Sequence, residues 1–462
     1  MSLLCLTGAA QAEDLLAVYD RALTNDPQLR EADATRLANR EAKPQALANL
    51  LPQLTAGASR TRTWGDGTSS SQQLLGTNVI AFNGGGPTLS NNTSWNFNLR
   101  QNVFSWANWT NLRAASDTVA QAEADYLVAR QSLAQRVSSQ YFAVLAAEDF
   151  LDAQQAAFDA FSRQLEQAEK RFEVGLIAIT DVQEARAARD SAAAAVIAAK
   201  RALSNQQQQL WTIVGEDYKV LNKPAETLPL LTPAPASEDE WVKMSMEQNA
   251  SLISSRLAAD IARDRVSNAF GGHLPTLDLV AGRTHSETDG SQTFITGQNG
   301  ANSSNTYGKS IALQLSVPLY SGGATQSRVR QAQYSWIAAK ERLQRTSRET
   351  ERSARDAFQS VISGISQVQA LRQALESSQT ALKATEAGYE VGTRTAVEVL
   401  DSRRLLIQAQ TNYSQGRYAY LNSLIQLRLA AGDLDRSTIE EMNKWMTVAI
   451  AAPAPDPAPP SP

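Results

Sequence analysis

The chain has 462 residues, 19% of them charged, and a formal net charge of −4. That is length for two or three ordinary domains, with no basic excess to engage nucleic acid. Hydrophobic residues reach 43%, but much of this is Ala and aromatics are only 6%, which suits long helices packed side by side better than a large globular core.

Residues 1–12, MSLLCLTGAAQA, are apolar and end in the A-x-A site Ala10-Gln11-Ala12, with Glu13-Asp14 following. They read as the remnant of a secretory signal peptide without its positively charged opening. Cys5, the one cysteine, would leave with that segment, so neither a disulfide nor cysteine-metal chemistry is expected. The competing reading is a soluble chain with an apolar start. No run of about 18 apolar residues occurs, so no membrane-spanning helix is expected. An exported chain of this kind is soluble or spans as a β-barrel.

Residues 13–214 form a first repeat. It opens with a helix, followed by strands at 51–64 and 94–104 around a Gly/Ser/Asn-rich loop, 65–93. In the second strand Trp95, Phe97 and Leu99 alternate with Asn96, Asn98 and Arg100. Such alternation fits a transmembrane strand with one lipid face and one wet face. Residues 105–174 then contain neither Gly nor Pro and predict one helix, roughly 105 Å long. Val144, Leu151, Phe158 and Leu165 recur every seven residues within it. A strict seven-residue repeat predicts coiled-coil packing, and the Ala around it admits neighbours on more than one side. A turn at Gly175 leads into a second helix, 176–214.

The segment 215–238 carries Pro224, Pro229, Pro233 and Pro235 and reads as a join. Residues 239–432 then repeat the same order of parts: a helix, strands 274–287 and 310–319 around the loop 288–309, and helices 324–387 and 393–431. Ile311, Leu313, Leu315 and Val317 alternate with Ala312, Gln314 and Ser316, and Val361, Val368, Leu375 and Leu382 echo the first heptad series 217 residues on. Trp95, Trp106, Trp109, Tyr307 and Tyr320 lie near strand ends, where interfacial aromatics are expected. Residues 433–450 follow, and a Pro-rich tail, 451–462, is expected to be disordered.

The duplication is plainest at the two turns. FEVGLIAITDVQEAR (172–186) and YEVGTRTAVEVLDSR (389–403) share Glu, Val, Gly, Val and Arg in the same register. Gly175 and Gly392 stand where a helix C-cap uses a left-handed residue. Asp181 with Glu184, and Glu398 with Asp401, are three apart and share a helix face. On spacing alone these acid pairs read as solvated surface, and the turns as plain hairpins. Four strands cannot close a barrel, and bare strand edges do not survive in lipid. If the strands span, more than one chain shares the barrel.

The duplicated halves, VPLYSGG (317–323) at the start of the long helix, RFEVGLIAITDV (171–182) and YEVGTRTAVEVLD (389–401) resemble the TolC family of outer-membrane channel proteins. The likeness covers about residues 13–445. It implies a mainly α fold with a transmembrane β-barrel part: a homotrimer whose twelve strands form the barrel, continued by a coiled-coil α-helical barrel. An equatorial girdle would take 215–238 and 433–450. It implies a passive exit duct for drug efflux and type I protein secretion. The duct would lie in the outer-membrane lipid of a Gram-negative bacterium, with its helices in the periplasm.

The expected partners are a periplasmic adaptor (membrane fusion protein) and an inner-membrane pump of the RND or ABC type. No cofactor or metal is expected. The resemblance makes Val174, Gly175, Leu176, Val391, Gly392 and Thr393 adaptor-docking residues. It places Glu398 and Asp401 at the pore constriction, with Glu398 where an Asp is typical. It makes Tyr389 and Arg394 a periplasmic latch onto Thr180 and Asp181 of the neighbouring coil.

Catalysis is not expected: the two histidines, His273 and His285, sit by or within a strand, and no phosphate loop or nucleophile motif occurs. A secreted coiled-coil filament protein is the alternative reading. It would share the long helices and export, but would not need the alternation of 94–104 and 310–319.

Overall fold

A computed structural model describes residues 13–75, 77–218, 220–225, 228–293 and 299–447. The signal remnant, Cys5 and the tail 451–462 lie outside the described residues. In chain order the elements are α1 (Leu15–Asn25), α2 (Pro27–Arg40), α3 (Ala42–Ala48), β1 (Gln53–Leu75), β2 (Asn78–Phe104), α4 (Trp106–Glu173) and α5 (Ile179–Val214). Then come β3 (Lys223–Pro224), α6 (Glu238–Gln248), α7 (Ala250–Phe270), β4 (Thr276–Thr293), β5 (Asn299–Ser316), α8 (Ala324–Glu390), α9 (Ala396–Ala431), α10 (Arg436–Asn443) and β6 (Met446–Thr447). The chain forms two compact units, one of residues 1–37, 121–256 and 341–462, the other of 38–120 and 257–340.

The second unit holds one antiparallel sheet in the order β1-β2-β4-β5. β1 and β5 are therefore its open edges. Across it run register rows such as Leu54-Leu99-Ala281-Ile311 and Ala58-Trp95-His285-Tyr307, all on one face. The intervening rows, Thr55-Asn98-Gly282-Ser310 and Ser59-Ser94-Ser286-Thr306, lie on the other. One face is thus apolar and aromatic, the other polar. Ser59 and Ser94 hydroxyls bond at 2.9 Å on the polar face, and Arg100 and Asn102 both donate to the Asp278 carboxylate, at 2.9 and 3.0 Å.

The strands outrun their expected limits. The described residues of the stretches 65–93 and 288–309, expected as loops, continue the ladders: Gly65 pairs with Thr88, and Asp289 with Ser303. Their Ser, Thr, Gly and Asn residues carry no apolar alternation. Ladder bonds join backbone to backbone, and Thr favours strands, so pairing can run on without an apolar signal. At the other end β5 stops at Ser316, three residues short of the expected limit, and Leu319 and Tyr320 lie exposed before α8.

The first unit is helical. Its core joins Leu15, Val18 and Tyr19 of α1 to Leu133, Val137, Tyr141 and Phe142 of α4, Leu210 of α5, and Leu421 and Ile425 of α9. On α5 the buried residues Val182, Ala185, Ala188, Ala192, Val196 and Ala199 recur every three or four positions. Small side chains on that seam let α5 lie close against Ala157, Phe161 and Ala168 of α4. Of the two heptad series, Val144, Val361 and Val368 are buried; Leu151, Phe158, Leu165, Leu375 and Leu382 stay part-exposed in the single chain. The Pro-rich join and the segment after Gly432 meet, because β3 pairs antiparallel with β6. Tyr141 and Arg417 pin the join by donating to its carbonyls at Asn222 (2.7 Å) and Ala225 (2.6 Å).

Candidate functional site

The two duplicated turns are the places where long helices reverse. Gly175 takes φ +75° and Gly392 φ +78°, both left-handed. At the first tip Gly175 N–H donates to Phe172 O, and Leu176 N–H to Arg171 O, each at 2.9 Å. These bonds satisfy carbonyls that the end of α4 would leave bare. At the second tip the Gly388 carbonyl accepts from Thr393 N–H at 2.8 Å, Arg394 N–H at 3.2 Å and the Thr393 hydroxyl at 3.0 Å. No atom lies within 4 Å of where a Cβ on Gly175 or Gly392 would stand, so backbone handedness alone calls for glycine there. Gly388 is needed for space: a Cβ would sit 2.7 Å from Arg394 Cγ.

Val174, Leu176 and Val391 project from these tips 69%, 72% and 75% exposed. Three apolar side chains this bare, beside backbone that is already satisfied, form a surface able to take a partner.

Past the second glycine the copies part. α9 begins with a capping box. The Thr395 hydroxyl accepts from Glu398 N–H at 3.3 Å, and the Glu398 carboxylate accepts from Thr395 N–H at 2.7 Å. α5 has no counterpart: its N-cap is Ala178, which makes no side-chain bond. The exchanges Ala178 to Thr395 and Asp181 to Glu398 therefore work together. A Glu at the third helical position reaches back to the cap residue's N–H. The Thr395 N–H, and after it Arg394, holds the Glu398 carboxyl below its ordinary range.

Arg394, in the turn before α9, donates to Glu398 at 2.8 Å, and Arg404 donates to Asp401 at 3.3 Å. Both acids expected at the constriction thus carry an arginine in this chain. Tyr389 meets the other tip: its ring centroid lies 5.0 Å from the Arg171 guanidinium carbon, within cation–π range. Thr180 is exposed and Asp181 half-buried in the first turn of α5. Among the described residues, neither Tyr389 nor Arg394 bonds them within the chain.

Sequence reasoning missed four features. The capping box was legible as T-x-x-E. Gly388 and the Arg171–Tyr389 contact carried no local signal. The fourth is a duplicated clamp on each hairpin: Arg186 bonds Glu169 at 3.0 Å, and Arg403 bonds Glu386. The two clamps stand 217 residues apart, and this shared offset could have revealed them.

Comparison with known proteins gives the family. The description "Outer membrane efflux protein" matches residues 18–216 and 241–433, the two repeats. The chain belongs to this family. It is 35% identical over 451 residues to the outer membrane protein TolC of Vibrio cholerae, covering 96% of each chain. It is 28% identical over 448 residues to the alkaline protease secretion protein AprF of Pseudomonas aeruginosa, covering 95% of this chain and 88% of that one. Its fold matches the crystal structure of the Campylobacter jejuni CmeC outer membrane channel with a TM-score of 0.72. That match has 20% identity and covers 97% and 94% of the two chains. The protein is therefore an outer-membrane efflux-channel protein of a Gram-negative bacterium. Its fold is mainly helical and tandemly duplicated, with strands that contribute to a transmembrane β-barrel.

Proposed function

We propose that three copies form a channel-tunnel, a passive exit duct for drug efflux and type I protein secretion. It opens at its tips when a periplasmic adaptor and an inner-membrane pump of the RND or ABC type dock. One observation carries this reading: a four-stranded sheet with one apolar face has both edge strands, β1 and β5, unpaired. Lipid tolerates no bare edge, so neighbouring copies must pair them, and three copies give twelve strands. The part-exposed heptad residues supply the matching helical contacts. The join and the segment after Gly432 form the girdle.

At the tips, Val174, Gly175, Leu176, Val391, Gly392 and Thr393 receive the adaptor. Tyr389 and Arg394 latch onto Thr180 and Asp181 of the neighbouring coil. Glu398 and Asp401 ring the constriction, where trimerisation gathers six carboxylates. Arg394 must exchange Glu398 for its partner on the next coil, which makes the latch two-state.

Native mass and planar-bilayer recording of detergent-purified protein test this. A trimer that conducts is expected, with higher single-channel conductance in Arg394→Ser with Tyr389→Phe. A monomer without a pore overturns the assembly, and unchanged conductance in the variant overturns the latch.

A further inference from the structure

On the apolar face of the sheet, each strand that carries a cation changes character abruptly toward the hairpin ends. Along β1 the face reads Leu54, Ala56, Ala58, then Arg60 and Arg62. Along β4 it reads Leu277, Leu279, Ala281, then Arg283; along β5 it reads Leu315, Leu313, Ile311, then Lys309. The four cations are exposed. None has a carboxylate within 4.0 Å among the described residues. Arg283 and Lys309 are direct register partners on this face. Like charges placed opposite each other on one face are destabilising unless an anion lies between them. Two of the arginines also lie over rings: the Arg62 guanidinium carbon is 5.2 Å from the Trp64 centroid, and that of Arg283 is 5.8 Å from the Trp95 centroid. Charge and aromatic surface are thus combined at one level.

Lys309 lies in the register row of Arg283, Phe97 and Ala56, and Arg60 stands four residues further along β1. Four residues advance about 13 Å, and three strand spacings cross about 14 Å, so the line from Lys309 to Arg60 runs at about 43° to the rows, with Arg283 beside Lys309. Transmembrane strands tilt by about 45°. The collar takes that tilt in the sense that sets the line from Lys309 to Arg60 in the plane of the membrane rather than along its normal. The same face turns acidic further out along β1 at Asp66 and along β4 at Glu287 and Asp289, which share the register rows of Arg60 and Arg62 two strands away.

We infer that Arg60, Arg62, Arg283 and Lys309 form a lipid-facing collar that binds the phosphate groups of an anionic phosphoglycolipid in the outer leaflet. The inference rests on the reading of the apolar face as lipid-facing. The helices that follow β2 and β5 lie in the periplasm, so the hairpin ends point outward and the collar lies at the outer-leaflet headgroups. A headgroup carrying two phosphates fits a row of paired cations better than a monoanionic phospholipid does. The flanking rings match the sugar and acyl boundary, where aromatic girdles sit.

The test is native mass spectrometry of the detergent-purified channel titrated with three lipids: bis-phosphorylated lipid A, the same lipid dephosphorylated, and phosphatidylglycerol. Expected is at least tenfold tighter retention of the phosphorylated lipid A than of the other two. In the variant with Arg60, Arg62 and Arg283 changed to Gln and K309Q, that preference falls at least tenfold. The milder pair R283Q and K309Q is expected to lose part of it, and serves if the fourfold variant does not assemble. Equal retention of all three lipids by the native protein, or an unchanged preference in the assembled variants, overturns the collar. Extraction without detergent would overturn the lipid-facing reading instead, so the two failures are distinguishable.

Discussion

The Arg171–Tyr389 contact joins the first tip to the second within one chain, and removing it tests whether the tips are held together there. Arg171 and Tyr389 are both half-buried, and the guanidinium carbon lies 5.0 Å from the ring centroid. A contact of this kind near the surface contributes about 0.5–1 kcal/mol. Three copies acting on one opening step would sum to about 1.5–3 kcal/mol, or about a 10- to 150-fold shift in the closed-to-open ratio. Arg171→Ala, with Tyr389 intact, removes the cation alone. Planar-bilayer recording should show a larger fraction of time in high-conductance states. Tyr389→Leu, which also removes the proposed latch contact, should do at least as much, and adding Arg171→Ala to it should add little, because the shared contact is already gone. An Arg171→Ala channel with the native conductance distribution would refute the reasoning. So would a double variant whose effect equals the sum of the singles.

Three further outcomes follow from the tips and the helix ends. Glu398→Ala with Asp401→Ala should abolish block by multivalent cations, which persistent block would contradict. Because the Glu398 carboxyl is held below its ordinary range, its hold on the Thr395 N–H is present above that range. It is lost only as pH falls through the lowered value, below the ordinary carboxylate range. Protection of the α9 start from hydrogen exchange, taken relative to the intrinsic rate at each pH, should fall in that acid window, and Glu398→Gln should remove this pH dependence. Gly432→Ala should be costly, since a Cβ would stand 2.5 Å from the Gln248 carbonyl oxygen in a residue with φ +81°. Strain and crowding together come to about 3 kcal/mol, against about 1 for Gly392→Ala, where the space is open. The midpoint of heat dissociation should separate these two variants clearly.

Much of the architecture could be read from one chain because its physical causes repeat at fixed intervals. A helix free of Gly and Pro declares itself over 105–174. Alternation declares the strands wherever one face meets lipid, as in Trp95, Phe97 and Leu99. The 217-residue offset declares the duplication. Ladder bonds need no apolar alternation, so 65–93 and 288–309 read as loops although the ladders run on through their described residues. At the tips the glycines and the acids were legible as residues, but their pairings were not. Glu398 caps its own helix and binds Arg394 because Thr395 replaced Ala178, a change that matters only once the chain has turned.

The sequence by itself determined the periodic features: the long helices, the faces of the strands, the two copies and the left-handed turns. Each follows from residues close together in the chain. Only the tertiary structure decided that Tyr389 rests on Arg171, that the join pairs with β6, and that Arg283 and Lys309 stand opposite each other. The reason is physical. Contacts between residues distant in sequence depend on strand register and helix phase, and side-chain identity does not encode either one locally.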